Sequence, residues 1–376
     1  PVQAELLKAI PTAASGANPV DLRAEAEPAA FDTAIRVVGG SGAVDSLVVV
    51  YTPTVSNAAP QVAARVAEAA RDLPAAVTVA SVFLGAGRLS RIRAMTGRVP
   101  VFGFPEQAAR ALAAAARYGR WRREPLGQIP HLDGIDEGAG RSVVEAALGR
   151  GGGWLQPGEM LTLLRAYGLP LVGGGLVETP EEAGELAGRL GGAVALKGLG
   201  AAIVHKTELG AVRLGLEGGD AVRDAAAGMR DRLRQEGAEV ERFWVQRMAP
   251  TGVEMLVGLA RDPTFGPLLA CGAGGTNAEL LGDVQARITP LTDRDASDML
   301  RRLRTRRLLD GWRGAPPADV EALTDVLLRV SALAEAVPEI EEMDLNPVVC
   351  TPEGACIVDA RVHVAPARPR PLLGAR

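Results

Sequence analysis

A chain of 376 residues with 47% hydrophobic and 23% charged side chains has the composition of a globular protein of two or three domains, each long enough for its own core. A net charge of −4 and an aromatic content of 3% exclude the basic, aromatic-studded surface that nucleic acid requires. No apolar run approaches the roughly 18 residues that span a bilayer and no cationic, apolar leader opens the chain, so neither a membrane nor a secreted protein is expected; the chain reads as cytoplasmic. Cys271, Cys350 and Cys356 are an odd set without CxxC spacing, which fits buried small hydrophobes better than a disulfide framework or a zinc site. The opening at Pro1 in turn-rich text reads as the interior of a longer polypeptide or as a processed one.

From residue 43 to 123, β-branched runs alternate with alanine-rich stretches. Strands are expected at 46–53 (SLVVVYTP), 76–83 (AVTVASVF) and 99–102 (VPVF), with helices at 60–73, 87–97 and 105–121. Continuous apolar strands separated by helices give a parallel sheet covered on both faces, and this predicts a doubly wound, flavodoxin-like domain over 1–124. Residues 125–155 are dense in Pro, Gly and Asp around one short helix (SVVEAALGR) and read as a linker, with His131 solvated inside it.

After the linker, 156–376 forms the rest. A helix (EMLTLLRAYG) leads to a strand at 169–177, and then to a helix whose start is written out in full: Thr179 as N-cap, Pro180 in the first turn, and Glu182 completing a capping box. A strand (AVALKG) carries Lys197 and opens a loop, LGAAIVHKTELG, that returns to a strand (AVRLGL). A long helix over 220–235, strands RFWVQRM and VEMLVGLA, and a glycine cluster CGAGGTNAE come next. Two helical segments, 293–310 and 317–336, precede the strands DLNPVV and ACIVDARV.

Only three of the 41 basic residues are lysine: Lys8, Lys197 and Lys206. Where any positive charge would serve, the sequence writes Arg, so a retained Lys marks a place for a compact ammonium that reaches between phosphate oxygens. Two of the three bracket His205, which points to phosphate chemistry near residue 200. Gly198 and Gly200 after Lys197 allow backbone to approach a ligand closely, although no GxxxxGK[ST] P-loop occurs anywhere. Asn346 and Asp359 stand on two neighbouring strands joined by a turn at 352–354. A hairpin of that length brings two hard oxygen ligands to one end of the sheet, as suits magnesium, which keeps its waters and completes its shell with phosphates.

Taken in order, the segments AVALKGLGAAIVHKTELGAVRLGL, WVQRMAPTGVEMLVGLARDPTFGPLLACGAGG, ARITPL and EEMDLNPVVCTPEGACIVDARV resemble the ATP-grasp half of the ADP-forming acyl-CoA synthetases, the acetate–CoA ligases related to succinyl-CoA synthetase. NPVDL and the text through 121 resemble the CoA-ligase domain that precedes ATP-grasp in fused members. The resemblance implies an ATP-grasp fold of two α+β lobes over 156–376. It implies that Lys197 binds nucleotide phosphates, that His205 relays the phosphoryl group with Asp344 steadying it, and that Gln246 and Arg247 lie at the adenine-side hinge. Glu254, Gly274 and Gly275 would contact nucleotide, and Asn346 and Asp359 would hold Mg²⁺, with ATP or ADP as the nucleotide. Two departures stand out: Gly200, Ala201 and Ala202 replace a common Ser-Pro-Asp, and Arg247 replaces a frequent hinge acid.

The implied activity is the ATP-binding and phosphohistidine-relay part of a ligase that joins a small carboxylic acid to CoA. The CoA-binding domains and the main histidine loop would come from upstream in the same polypeptide or from a separate subunit, in an oligomer. The alternative implied by other relatives is a non-catalytic, nucleotide- or acyl-CoA-sensing module of a protein lysine acetyltransferase.

Overall fold

The computed structural model describes residues 1–53, 59–85, 89–200, 210–275 and 282–367. The chain divides into two compact units, Pro1–Pro125 and Leu126–Arg376.

In the first unit two helices, α1 (Val2–Ala9) and α2 (Pro28–Gly39), precede the segment in which strands and helices alternate as expected: β1 (Ser46–Tyr51), α3 (Ala59–Arg71), β2 (Thr78–Phe83), α4 (Leu89–Thr96), β3 (Val101–Phe102) and α5 (Pro105–Arg123). Helix α3 buries Val62, Val66 and Ala69, spaced four and three apart, so one stripe of it faces the sheet. The three strands are parallel, in the order β1-β2-β3. A flavodoxin-type sheet reverses after its second strand, placing the third beside the first. Among the described strands both crossovers instead step the same way, so the expected reversal is not found. Alternating strands and helices fix a parallel sheet; they do not fix the direction of winding.

The second unit takes in the segment expected to be a linker. Its first elements are α6 (Glu137–Gly149), β4 (Gly153–Trp154) and α7 (Pro157–Ala166). Asp136 caps α6 by accepting from the Ala139 N–H at 2.9 Å, and its own N–H donates to the Ala166 carbonyl. Val144 and Ala147 enter the same core as Leu163 and Met255. Pro, Gly and Asp mark the turns of this segment correctly, but the apolar spacing of its helix belongs to a packed element.

Two antiparallel sheets follow. The smaller is built from β5 (Gly174–Val177), α8 (Pro180–Leu190), β6 (Ala193–Leu199), β7 (Val212–Glu217), α9 (Gly219–Gln235) and β8 (Arg242–Arg247), in the strand order β5-β8-β6-β7. Its capping box forms as read: the Glu182 N–H donates to Thr179 Oγ1 at 3.1 Å, and the Thr179 N–H to Glu182 Oε2 at 3.2 Å. Helices α8 and α9 cover one face, closing over Val194, Leu196, Phe243 and Val245.

The larger sheet comprises β9 (Val253–Asp262), β10 (Gly266–Ala273), β11 (Val284–Ile288) and, after helices α10 (Asp293–Arg302), α11 (Arg306–Leu309) and α12 (Val320–Ala336), strands β12 (Ile340–Thr351), β13 (Gly354–Ile357) and β14 (Ala360–Val364). Its order is β11-β10-β9-β12-β14-β4, with β13 paired to the far half of β12. Met343, Leu345, Val362, Met255 and Val257 point into a core shared with Leu327 and Val330 of α12. Period-two alternation then sends Glu342, Asp344 and Arg361 to the opposite face.

Cys271 and Cys350 are buried as expected, and burial pushes both thiols up to about 12. Cys356 is half-buried and its thiol is raised for the same reason. No helix of the described residues is long and apolar enough to cross a membrane.

Candidate functional site

Lys197 lies on β6, in register with Trp244 of β8, on the face away from α8 and α9. Only 8% of it is exposed. Its Nζ lies 3.3 Å from Asp359 Oδ1 and donates to the Val358 carbonyl at 3.3 Å, so the lysine of one sheet closes on the turn between β13 and β14 of the other. The strand runs one residue beyond the expected AVALKG, to Leu199.

Asn346 sits where β12 changes partner. The β12–β9 register shifts between Leu345 and Val348, and there β14 gives way to β13 along the other edge. The Asn346 N–H donates to the Asp359 carbonyl oxygen at 3.2 Å, which sets the two expected metal ligands side by side. The Asn346 side-chain oxygen accepts from the Gly275 N–H at 3.2 Å. Gly275 has φ +65°, and a Cβ there would stand 1.8 Å from Glu254 Oε2; glycine is required for the backbone to pass the carboxylate. The Gly274 N–H donates to the Glu254 carbonyl at 2.9 Å. Glu254, Gly274, Gly275, Asn346, Asp359 and Lys197 thus form one continuous string of contacts.

A cleft of about 750 Å³ runs between the sheets, with Lys197, Gln246, Asp359 and Arg361 on its walls. One part is apolar, where Leu161, Leu199 and Trp244 pack with Met160, Leu171 and Leu176. Gln246 is 2% exposed, and its Oε1 accepts from the Trp244 indole N–H. Asp344 stands opposite Arg361 across β12 and β14. Burial raises its pKa above the usual carboxylate value, Arg361 works against that, and Asp359 and Glu342 add to it.

Gln246 and Arg247 alternate along β8, so when Gln246 faces the cleft Arg247 faces away, and its Nε donates to the Leu190 carbonyl at the end of α8 at 3.1 Å. His205 and Lys206 lie outside the described residues. The sequence reading passed over Arg361 and Trp244; Trp244 could be found by counting two residues along β8 from Gln246, and Arg361 by the alternation of β14 just after Asp359.

The donor set has a definite chemistry. One amide oxygen on β12 and one carboxylate in the turn between β13 and β14, their backbones tied by a hydrogen bond, suit a hard cation that takes few protein ligands and keeps its waters. Among the described residues no group of three or more His, Cys, Asp or Glu could hold a metal ion, which disfavours an all-protein zinc cage. A buried ammonium and a half-buried carboxylate at one part of a cleft, with an apolar slot at another, match a ligand having a flat apolar portion and an anionic tail.

The model of a family described as "ATP-grasp domain" matches residues 146–364. The chain belongs to the ATP-grasp family. Within it the chain groups with the ADP-forming acyl-CoA ligases. It is 31% identical over 368 residues to acetate–CoA ligase [ADP-forming] I of Archaeoglobus fulgidus, across 95% of this chain and 51% of that protein. It is 34% identical to the subunit beta of acetate–CoA ligase [ADP-forming] I of Pyrococcus furiosus, across 59% of this chain and 96% of the subunit. Among solved structures it resembles a chain of the dinucleotide-forming acetyl-coenzyme A synthetase 1 of Ca. Korarchaeum cryptofilum, in complex with coenzyme A, Ca-AMPCP and HgCl+, with 36% identity and a TM-score of 0.57 over 60% of this chain and 99% of that one. A Se-Met form of the same synthetase holds coenzyme A and Mg-AMPPCP with its phosphohistidine segment pointing towards the nucleotide binding site, at 35% identity and a TM-score of 0.54. The chain spans about half the length of the longer curated relatives it matches.

Proposed function

We propose that this ATP-grasp chain is the ATP-binding and phosphoryl-relay portion of an ADP-forming acyl-CoA ligase, interconverting acyl-CoA, ADP and phosphate with the free acid, CoA and ATP. The observation that carries the proposal is the 3.3 Å approach of the buried Lys197 ammonium to Asp359, whose backbone is hydrogen-bonded to that of Asn346. Lys197 binds the phosphate chain of ATP, and Gln246 lines the cleft on the base side. Asn346 and Asp359 would hold Mg²⁺, which neutralises phosphate charge when bound. A ring nitrogen of His205 attacks the γ-phosphorus as the bond to the bridging oxygen breaks, ADP leaves, and the phosphoryl group rests on the imidazole until it is passed on. Asp344 is the acceptor that steadies that imidazole.

The acid and CoA bind on the CoA-binding part, contributed by the same polypeptide or a separate subunit. Support comes from the curated relatives, some of which are about twice as long while others occur as a subunit beta. The match across 95% of this chain extends through the first unit, which we assign to the CoA-ligase region of fused members. An oligomeric, cytoplasmic enzyme belongs to the same proposal.

The test is isotopic. With magnesium and γ-labelled ATP the chain acquires acid-labile, base-stable label, and His205→Ala abolishes it. Nucleotide bound without any such label, equally in both proteins, would replace the relay with the sensing module.

A further inference from the structure

Lys197 is a single compact ammonium, buried and already engaged by Asp359 and the Val358 carbonyl. One such point charge covers little of a chain of phosphates. Two residues past Asp359 stands Arg361. In β14 the side chains of Ala360, Val362 and Val364 are buried, and the alternation places exposed Arg361 on the other face. That is the face of β12 that carries Asp344 and Glu342, and Asp344 is Arg361's partner in register. Arg361 lines the same cleft as Lys197 and Asp359. Arg361 is the second residue of β14 and follows Asp359 by two positions.

The surrounding charge favours a cation there. Asp359 lines the cleft beside Arg361, and Asp344 and Glu342 stand on the neighbouring strand; the Arg361 charge acts on Asp344 against the effects of the other two. A guanidinium adds what an ammonium lacks: five donors in a planar fork that engages two phosphate oxygens at once.

We propose that Arg361 is a second phosphate-binding residue of the cleft, gripping the phosphates beyond the first with a bidentate fork while Asp344 holds its register. This rests on the nucleotide occupying the cleft, as set out above.

Equilibrium binding of AMP, Mg-ADP and Mg-ATP to the whole chain, measured by titration calorimetry, tests it. Arg361→Gln weakens Mg-ADP and Mg-ATP about tenfold to a hundredfold, the scale of a lost charge-assisted pair of hydrogen bonds, and leaves AMP within about twofold. Arg361→Lys restores only part of the loss. Arg361 is exposed, so both variants fold with nearly unchanged melting temperature. Wild-type affinity of Arg361→Gln for all three nucleotides overturns the assignment, as does equal weakening of all three, which is the mark of a purely structural role. Full recovery in Arg361→Lys removes the fork. If the wild-type chain labels on His205 while Arg361→Gln binds normally, the inference fails and the relay stands; if the wild type binds no nucleotide, both fall.

Discussion

The four-stranded sheet covers its central strands on both faces, whereas the seven-stranded sheet covers one face and leaves part of the other to solvent. On the small sheet the site-side residues Ala195, Lys197, Trp244 and Gln246 are all less than 9% exposed. On the large sheet Asp344, Asn346 and Asp359 are half-buried and Glu342 and Arg361 are exposed. One sheet therefore supplies a fixed charge away from water, where its field is weakly screened, and the other supplies oxygens that can share a cation with water. The contrast explains why the scarce lysine is on the small sheet: a strongly hydrated, compact charge is costly to bury and is kept where its position matters.

The hardest way to break the comparison is through the core that holds Lys197 in place. Phe243 is fully buried between β8 and α9, beneath the guanidinium of Arg230 at 4.9 Å from the ring centroid. Phe243→Ala is expected to cost about 3 to 5 kcal/mol, read from urea unfolding monitored by tryptophan fluorescence. A loss below about 1 kcal/mol would mean that the small sheet does not depend on this packing. Next in size is Lys197→Arg. Charge is conserved, but a fork must fit where a point charge is enclosed. Mg-ATP affinity is expected to fall about tenfold to a hundredfold, with the fold intact by circular dichroism. Near-normal affinity would show that any cation serves there, and the meaning of the lysine scarcity would go with it.

How much of this could be read in advance depended on whether the deciding physics was local. The capping box at Thr179 and Glu182 involves four consecutive residues and was legible in full. The nearness of Asn346 and Asp359 was expected from two adjacent strands; their backbones do meet in a hydrogen bond, with Asp359 in the turn before β14 rather than on a strand. The resemblance placed Gln246 and Arg247 at one hinge without giving their directions; β8 is a plain alternating strand, and its pleat puts the two side chains on opposite faces. Residues 125–155 were taken for a linker because Gly and Pro punctuate them. What binds this segment to the second unit is non-local: the pairing of Trp154 with His363, and the Gln128 carbonyl accepting from the Asp293 N–H. The winding of the first unit was equally out of reach, since crossover direction is a choice between equivalent sheet edges that no single segment records.

The smallest effects ask whether the two sheets, so different in exposure, nevertheless unfold as one. Each side offers a matched probe in a capping box: Thr179 with Glu182 at α8, and Thr292 with Asp295 at α10. Both threonines are half-buried, but the partner Glu182 is exposed whereas Asp295 is half-buried. Thr292 also donates its hydroxyl to Asp295 Oδ2 at 2.7 Å. Thr179→Ala is expected to cost about 0.5 to 1 kcal/mol and Thr292→Ala about 1 to 2 kcal/mol, both within the range of lost N-caps. The main cores of the two sheets are distinct, but Leu161, Leu199 and Trp244 pack with Met160 and Leu171, which also pack against the core of the larger sheet and form a bridge. Because of that bridge both substitutions should shift a single denaturation midpoint without changing its slope. If Thr179→Ala moved only part of the unfolding signal, the bridge would be too weak to couple the sheets, and the small one would open independently around Lys197.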